Sequence, residues 1–256
     1  MIANYHSHTP RCRHASGAEI EYVENAVKRG LKIFGFSDHT PQFFPGDYYS
    51  FMRMYPEELE DYCNTVRSLQ TQYRGRIEIP LGLEAEYYPA TWHEMLERAK
   101  DAGIEYLILG QHWLDNEENA HGSGGITVSE ALLKQYCHQV MDGLSTGVFT
   151  YLAHPDLFHY IGNKKIYRKY MGELVRFARE GNIPLELNLL GILCKKHYPN
   201  EEFWALAAEE GCSVVLGLDA HDPSHVSDLR PEEKAREIVR HYGLKVLDTV
   251  ELKPLK

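Results

Sequence analysis

Histidine and carboxylate side chains at the ends of apolar runs carry the chemistry of this sequence. The chain of 256 residues holds 14 histidines. Seven of them close or follow short apolar runs: His6 and His8 with His14 just beyond, then His39, His112, His154 and His221. Carboxylates stand at the same kind of position, in Asp38, Glu84 and Asp219, and no cluster of lysines balances them. Packed together without cations, such groups would leave unpaired polar atoms at a cost of a few kcal/mol each. Neutral imidazole and carboxylate ligands suit Zn, Mn or Fe. The ten groups exceed the four positions of one tetrahedral ion, so two or three divalent ions are expected. In an extended strand residues i and i+2 point the same way, so His6 and His8 can chelate one ion while Ser7 faces away, and Asp219 and His221 can address one cluster. Glu84, with two oxygens, can bridge. Clustered ions suit hydrolysis of phosphate esters, through an activated hydroxide and neutralisation of phosphoryl oxygens.

Such convergence needs elements that bring distant residues to one rim. β-branched apolar runs predict strands at Ile2–His6, Leu31–Ser37, Ile77–Leu83, Tyr106–Gly110, Val148–Ala153, Leu185–Leu189 and Ser213–Leu218, with an eighth possible at Lys245–Thr249. Amphipathic spacing predicts helices at Glu19–Arg29, Pro56–Tyr73, Trp92–Ala102, Ser129–Leu144, Tyr167–Glu180, Glu201–Glu210 and Pro231–Tyr242, almost all closed by a left-handed glycine. Strand, helix, strand in regular repeat implies parallel strands with right-handed crossovers. Seven or eight units in this length fit a closed barrel, whose active sites gather at the C-terminal ends of the strands. The competitor is a doubly wound open sheet, weakened by the lack of a glycine-rich loop after the first strand. No linker or composition shift divides the chain, so 1–256 reads as one domain. Thr40–Tyr55 and Leu114–Thr127 are the long irregular stretches, expected as loops over one end.

Composition excludes several classes. Apolar residues make up 43% and charged residues 25%, as in globular chains. A net charge of -10 disfavours nucleic acid as a partner but leaves room for a small phosphorylated substrate held by local cations or metals. No signal peptide and no membrane span is expected. Five scattered cysteines, odd in number and never spaced CxxC, predict reduced thiols in a cytoplasmic protein.

Six motifs in order, YHSHTPRCRHA, GFSDHTP, GLEAEYYP, GQHW, AHPDLF and GLDAHDPSHV, resemble the polymerase-and-histidinol-phosphatase (PHP) superfamily over essentially the whole chain. Within it the chain is similar to the monofunctional histidinol-phosphate phosphatases. The resemblance implies a TIM-like, distorted (β/α)7 barrel with a trinuclear metal centre. It places one ion on His6, His8, Glu84 and Asp219. A second shares Glu84 and takes His112 and His154, and a third takes His14, His39 and His221. Asp38 becomes an orienting partner of a ligand. The implied reaction is hydrolysis of L-histidinol phosphate to L-histidinol and phosphate by a metal-bridging hydroxide. The alternatives are another small phosphate monoester or phosphotyrosine as substrate, a nucleic-acid end, or a non-catalytic metal-binding module.

The sequence departs from the family in its phosphate-orienting cation. Some members carry an arginine where Leu193 stands, leaving Lys195, Lys196 or Arg168 as alternatives for substrate binding, with Arg11 and Arg13 behind them. Cys12 reads as a packing residue and Trp113 as a candidate pocket wall. His93, His138, His225 and His241 read as surface. Any of His121, His159 and His197 could touch substrate.

Overall fold

Strands and helices alternate in space as they do along the chain. The computed structural model describes residues 1–255. Two short strands, β1 (Ala3–Asn4) and β2 (Ile33–Phe34), pair in parallel. Past Gly35 the run of β2 continues as β3 (Phe36–His39). This strand opens a parallel sheet whose order follows the chain through β4 (Leu81–Ala85), β5 (Tyr106–Leu109), β6 (Phe149–Leu152), β7 (Leu185–Asn188), β8 (Ser213–Gly217) and β9 (Lys245–Val246). Beyond β1 the backbone meets the segment that follows β8, the strand next to the far edge of the sheet. Ser7 bridges Ala220 in parallel, and His8 N donates to Ala220 O at 2.9 Å.

Seven helices match the amphipathic pattern: α1 (Glu19–Arg29), α2 (Leu59–Gln72, after a 3-10 turn at Pro56–Glu58), α3 (Trp92–Asp101), α4 (Glu130–Ser145), α5 (Lys164–Glu180), α7 (Glu201–Glu210) and α9 (Arg230–Tyr242). α5 begins before the expected Tyr167 because Asn163 caps it, accepting from Lys165 N. Two short helices lay outside the pattern, α6 (Leu189–Leu193) and α8 (Pro223–Ser227). They begin at the capping side chains of Asn188 and Asp222. The expected Ile77–Leu83 strand is displaced toward the C-terminus, since Pro80 has no N–H to give a ladder and β4 starts after it. The eighth strand is real but only two residues long. The glycine rule fails at one helix: Gly181 keeps φ at -76°, and Asn182 takes the left-handed conformation at 50°. Among the described residues no helix is long and apolar enough to cross a membrane.

Both faces of the sheet are buried, and period-2 alternation divides their work. On the face toward the helices, Leu107 and Leu109 of β5, Phe149 and Leu152 of β6 and Leu185 and Leu187 of β7 join the main core. On the other face Tyr106, Ile108, Tyr151, Ala153 and Val215 pack with Ala3 and Tyr5, closed off by Val250 and Leu252 of the C-terminal segment. Farther along the same strands, toward their C-terminal ends, alternation turns from apolar groups to Glu84, Glu186 and Asn188, all buried.

A charged knot joins α1 to α9. Glu232 binds Arg29, Arg236 and the Met1 amino group. Burial alone would raise its pKa, yet hydrogen bonds from Met1, Arg29 and Arg236 hold it down to about 2. The folded value lies below the unfolded value of about 4.3, so this carboxylate stabilises the fold above pH 4 and ceases to as the pH falls toward 2. Glu232→Gln should therefore cost roughly 2 kcal/mol at pH 7 in urea unfolding and almost nothing near pH 2. An equal cost at both pH values would refute the assignment.

Candidate metal centre

The strand-end residues meet around one carboxylate. Glu84 leaves the end of β4 fully buried. Its Oε2 lies 3.4 Å from His6 Nε2, 3.5 Å from His8 Nε2 and 3.2 Å from His39 Nδ1. Its Oε1 lies 2.7 Å from His154 Nε2 and 3.6 Å from His112 Nε2. Asp219, just past β8, stands beside them, with Oδ1 3.0 Å from His8 Nε2 and 3.4 Å from both His6 Nε2 and His221 Nδ1. His14 and His221 face each other, Nε2 to Nε2, at 3.0 Å. All nine residues expected as ligands thus meet in one cluster. Two of them, His154 (φ 28°) and Asp219 (φ 50°), hold the left-handed backbone that L side chains disfavour, which the surrounding structure must compensate.

The side chain of Glu84 lies where the neighbouring strand offers no side chain of its own. A Cβ on Gly110 would sit 1.8 Å from Glu84 Oε1, so only glycine admits the carboxylate there. Gly217 does the same for Glu186, with a Cβ position 1.8 Å from Glu186 Oε1.

A set of carboxylates holds the rings from behind. Glu186 Oε1 accepts from His6 Nδ1 at 2.8 Å, and Glu186 Oε2 accepts from His154 N at 3.0 Å. Asp38 Oδ1 lies 3.4 Å from His8 Nδ1, the orienting place expected of it, and Glu86 Oε1 lies 3.0 Å from His112 Nδ1. The Asn188 amide donates to Glu186 Oε2 at 2.9 Å and to Asp219 Oδ2 at 3.1 Å, while its oxygen caps α6. The sequence alone assigns no role in the site to Glu186, Asn188 or Glu86. The available signal was a charged residue at an even step inside an apolar strand, as in the Leu185–Asn188 run.

The electrostatics are those of a site short of positive charge. Burial would raise the Glu84 carboxyl, but the fields of His112, His6, His39 and His154 hold it well below the ordinary range. Burial opposes protonation of His6, yet Glu186, Asp219 and Glu84 raise it well above its usual value. His39 and His221 are pushed well below theirs by burial first, with Glu84 raising His39 and Asp219 raising His221 against the opposing fields of His8 and His14. Five buried atoms, His6 Nε2, His8 Nε2, His39 Nδ1, His154 Nδ1 and Glu84 Oε2, have no hydrogen-bond partner among the described residues. Ligand atoms of His14, His39 and His221, of His6, His8 and Asp219, and of His6, Glu84 and His154 lie within 4.8 Å of one another in each set. Unpaired imidazole and carboxylate atoms in such sets fit divalent cations.

The remaining candidates are distributed as follows. Arg11 is committed to Asp61 and Glu19, and Arg13 to Glu58. Arg168, on α5, binds Glu202 and Glu209 of α7. Lys195 and Lys196 follow α6, both exposed, and make no ion pair among the described residues. Cys12 is buried beside His8 and His221, and burial pushes its thiol up. Trp113 donates to Met52 Sδ at 3.1 Å and meets Phe51 edge-on, a wall beside His112. His159 and His197 stack at 3.8 Å, and His121 lies near Phe158. His93, His138 and His241 are exposed as expected. His225 is not free surface, because it is half-buried and its Nδ1 accepts from His221 N at 3.3 Å.

This chain belongs to the PHP domain family, whose model matches residues 4–189. Among its relatives is the probable histidinol-phosphatase of Deinococcus radiodurans, 31% identical over 241 residues that cover 88% of each chain. The histidinol-phosphatase of Bacillus subtilis is 26% identical, over 86% of this chain and 94% of that one. The fold is similar to the crystal structure of histidinol phosphate phosphatase from Lactococcus lactis complexed with zinc, L-histidinol and phosphate. That likeness has a TM-score of 0.75 at 20% identity and covers 99% of this chain and 97% of the other.

Proposed function

We propose that this protein is a metal-dependent phosphomonoesterase that hydrolyses L-histidinol phosphate to L-histidinol and phosphate. The observation that carries the reading is the ring of five histidines around the buried Glu84, with the unpaired Nε2 of His6 and His8 and Nδ1 of His39 turned into it. The activity named for the relatives from Deinococcus radiodurans and Bacillus subtilis supports the choice of substrate. In this reading His6, His8, Glu84 and Asp219 would hold one ion, Glu84, His112 and His154 a second, and His14, His39 and His221 a third. Two or three divalent ions, of zinc, manganese or iron, would supply an activated water and neutralise charge on the phosphoryl oxygens. In the same reading the strands belong to a distorted (β/α)7 barrel, which the isolated Ser7–Ala220 bridge supports, in one domain spanning 1–256 of a cytoplasmic enzyme without a nucleic-acid partner.

The chain's own residues do the positioning. Glu186 and Asp38 hold His6 and His8 with their Nε2 atoms turned toward Glu84 and Asp219. Asn188 fixes Asp219 from behind. Lys195 offers a point charge for the phosphate in place of the absent arginine, as a weaker anchor than a planar guanidinium fork. Arg168, tied to two glutamates, is the poorer choice of the two. Lys195→Ala should raise KM for L-histidinol phosphate about three- to tenfold and leave kcat nearly unchanged. An unchanged KM would remove Lys195 from the substrate site.

Steady-state turnover on a panel tests the whole reading. L-histidinol phosphate should be hydrolysed with a kcat/KM well above that for phosphotyrosine, sugar phosphates and an oligonucleotide end. Preference for phosphotyrosine would move the substrate assignment, and no hydrolysis of any ester by metal-loaded protein would end it.

A further inference from the structure

Arg53 is fully buried although it lies in the irregular segment between β3 and α2. Its Nη1 donates to Glu86 Oε2 at 2.8 Å and to Thr40 O at 3.2 Å. Its Nη2 donates to Glu86 Oε1 at 3.1 Å and to Glu117 Oε2. Glu117, in the irregular segment after β5, also accepts from Tyr88 at 3.0 Å and Tyr48 at 3.1 Å. The two longest loops of the chain are thus joined through one guanidinium. Burying an arginine costs several kcal/mol unless its bonds are made, and the bonds the two Nη atoms make here lead to two carboxylates, the Thr40 carbonyl and the Tyr88 hydroxyl at 3.4 Å.

Glu86 is the branch point. It is two residues past Glu84, on the same face by strand alternation. Both of its oxygens are held by Arg53, and Oε1 also meets His112 Nδ1 at 3.0 Å. A carboxylate oxygen fixed in this way accepts only, so the Nδ1 of His112 must carry the proton. The other nitrogen, Nε2, then turns a lone pair toward Glu84 Oε1, 3.6 Å away. Without Glu86 the carboxylate left within 4 Å of the ring, among the described residues, is Glu84, which faces Nε2 and favours a proton there, where it would block a ligand. We infer that Arg53, acting through Glu86, is a positioning residue that sets the tautomer of His112 and so decides which nitrogen it offers to the centre. The functional consequence rests on the reading of His112 as a ligand; the tautomer itself does not.

The test reads ring nitrogens of the metal-free protein by two-bond proton–nitrogen NMR. Wild-type His112 should show the Nδ1–H form. Glu86→Leu should shift it to Nε2–H and weaken binding of zinc, in competition with a chelator, by about 10- to 100-fold at one site. Arg53→Lys should keep the wild-type tautomer with only a several-fold loss, while Arg53→Met should lose it in part. Should a single variant fail to fold because it strands a buried charge, the triple variant Arg53→Met/Glu86→Leu/Glu117→Gln removes the three charges together, a change buried ion pairs often tolerate. It should show Nε2–H as well. A His112 ring that stays Nδ1–H in the Glu86→Leu or triple variant, with zinc affinity unchanged, overturns the inference. If instead the tautomer shifts as described but wild-type protein turns over no phosphate ester, the proposed function fails and the positioning role stands.

Discussion

Glu84→Gln should lower kcat on L-histidinol phosphate by at least about 10³-fold, equivalent to roughly 4 kcal/mol of transition-state stabilisation. The size follows from position. One side chain contacts five histidines through two oxygens, and both candidate ion sites that share it would lose a charged ligand for a neutral one. The amide keeps the shape of the carboxylate, so the variant should fold. The wild-type protein should melt at a higher temperature when zinc is added, because the ions bind only the native state. Glu84→Gln should lose most of that increment. KM should move far less than kcat, since charge developing on the phosphoryl group is what the centre would stabilise. A variant with more than a tenth of wild-type kcat would remove Glu84 from the centre of the account.

Gly110→Ala should be nearly as damaging, although it adds only a single methyl group to a residue that carries no functional group of its own. The new carbon would lie 1.8 Å from Glu84 Oε1 and 2.6 Å from Glu84 Cδ, so either the carboxylate or the strand must move. Overpacking of this kind costs about 1–3 kcal/mol of stability. A displacement near 1 Å at a catalytic group costs roughly 10²-fold in rate. Gly172→Ala on α5 is the control. Its added carbon would make only an ordinary contact with Leu206 at 3.8 Å, and a helix gains from the exchange, by up to about 1 kcal/mol. Activity should fall in the first variant and hold in the second. Equal activity in both would mean that Glu84 has room the structure does not give it.

Much of this site was legible because the rule that locates it is geometric. Parallel strands place their C-terminal ends on one rim, so His6, Glu84, His112, His154 and Asp219 had to approach one another once the strands were recognised. The helices were legible from apolar spacing and from terminal glycines such as Gly30, Gly211 and Gly243, all with positive φ. What escaped depends on tertiary contact. Glu186 looks like an interruption of an apolar strand until Gly217 is seen to make space for it across the sheet. Arg53 sits in a segment without periodicity, and its partners Glu86 and Glu117 are 33 and 64 residues away. The phosphate-binding cation has no such geometric mark, since Lys195 is exposed and makes no ion pair among the described residues.

The central claim is that the imidazoles and carboxylates of this rim cage divalent ions on which activity depends. The most direct test is elemental analysis of purified protein beside its turnover, before chelation, after chelation and after refilling with zinc, manganese or iron. The account predicts two or three ions per chain, their loss together with hydrolysis of L-histidinol phosphate, and the return of both on refilling. Full turnover by protein stripped of every ion would contradict it.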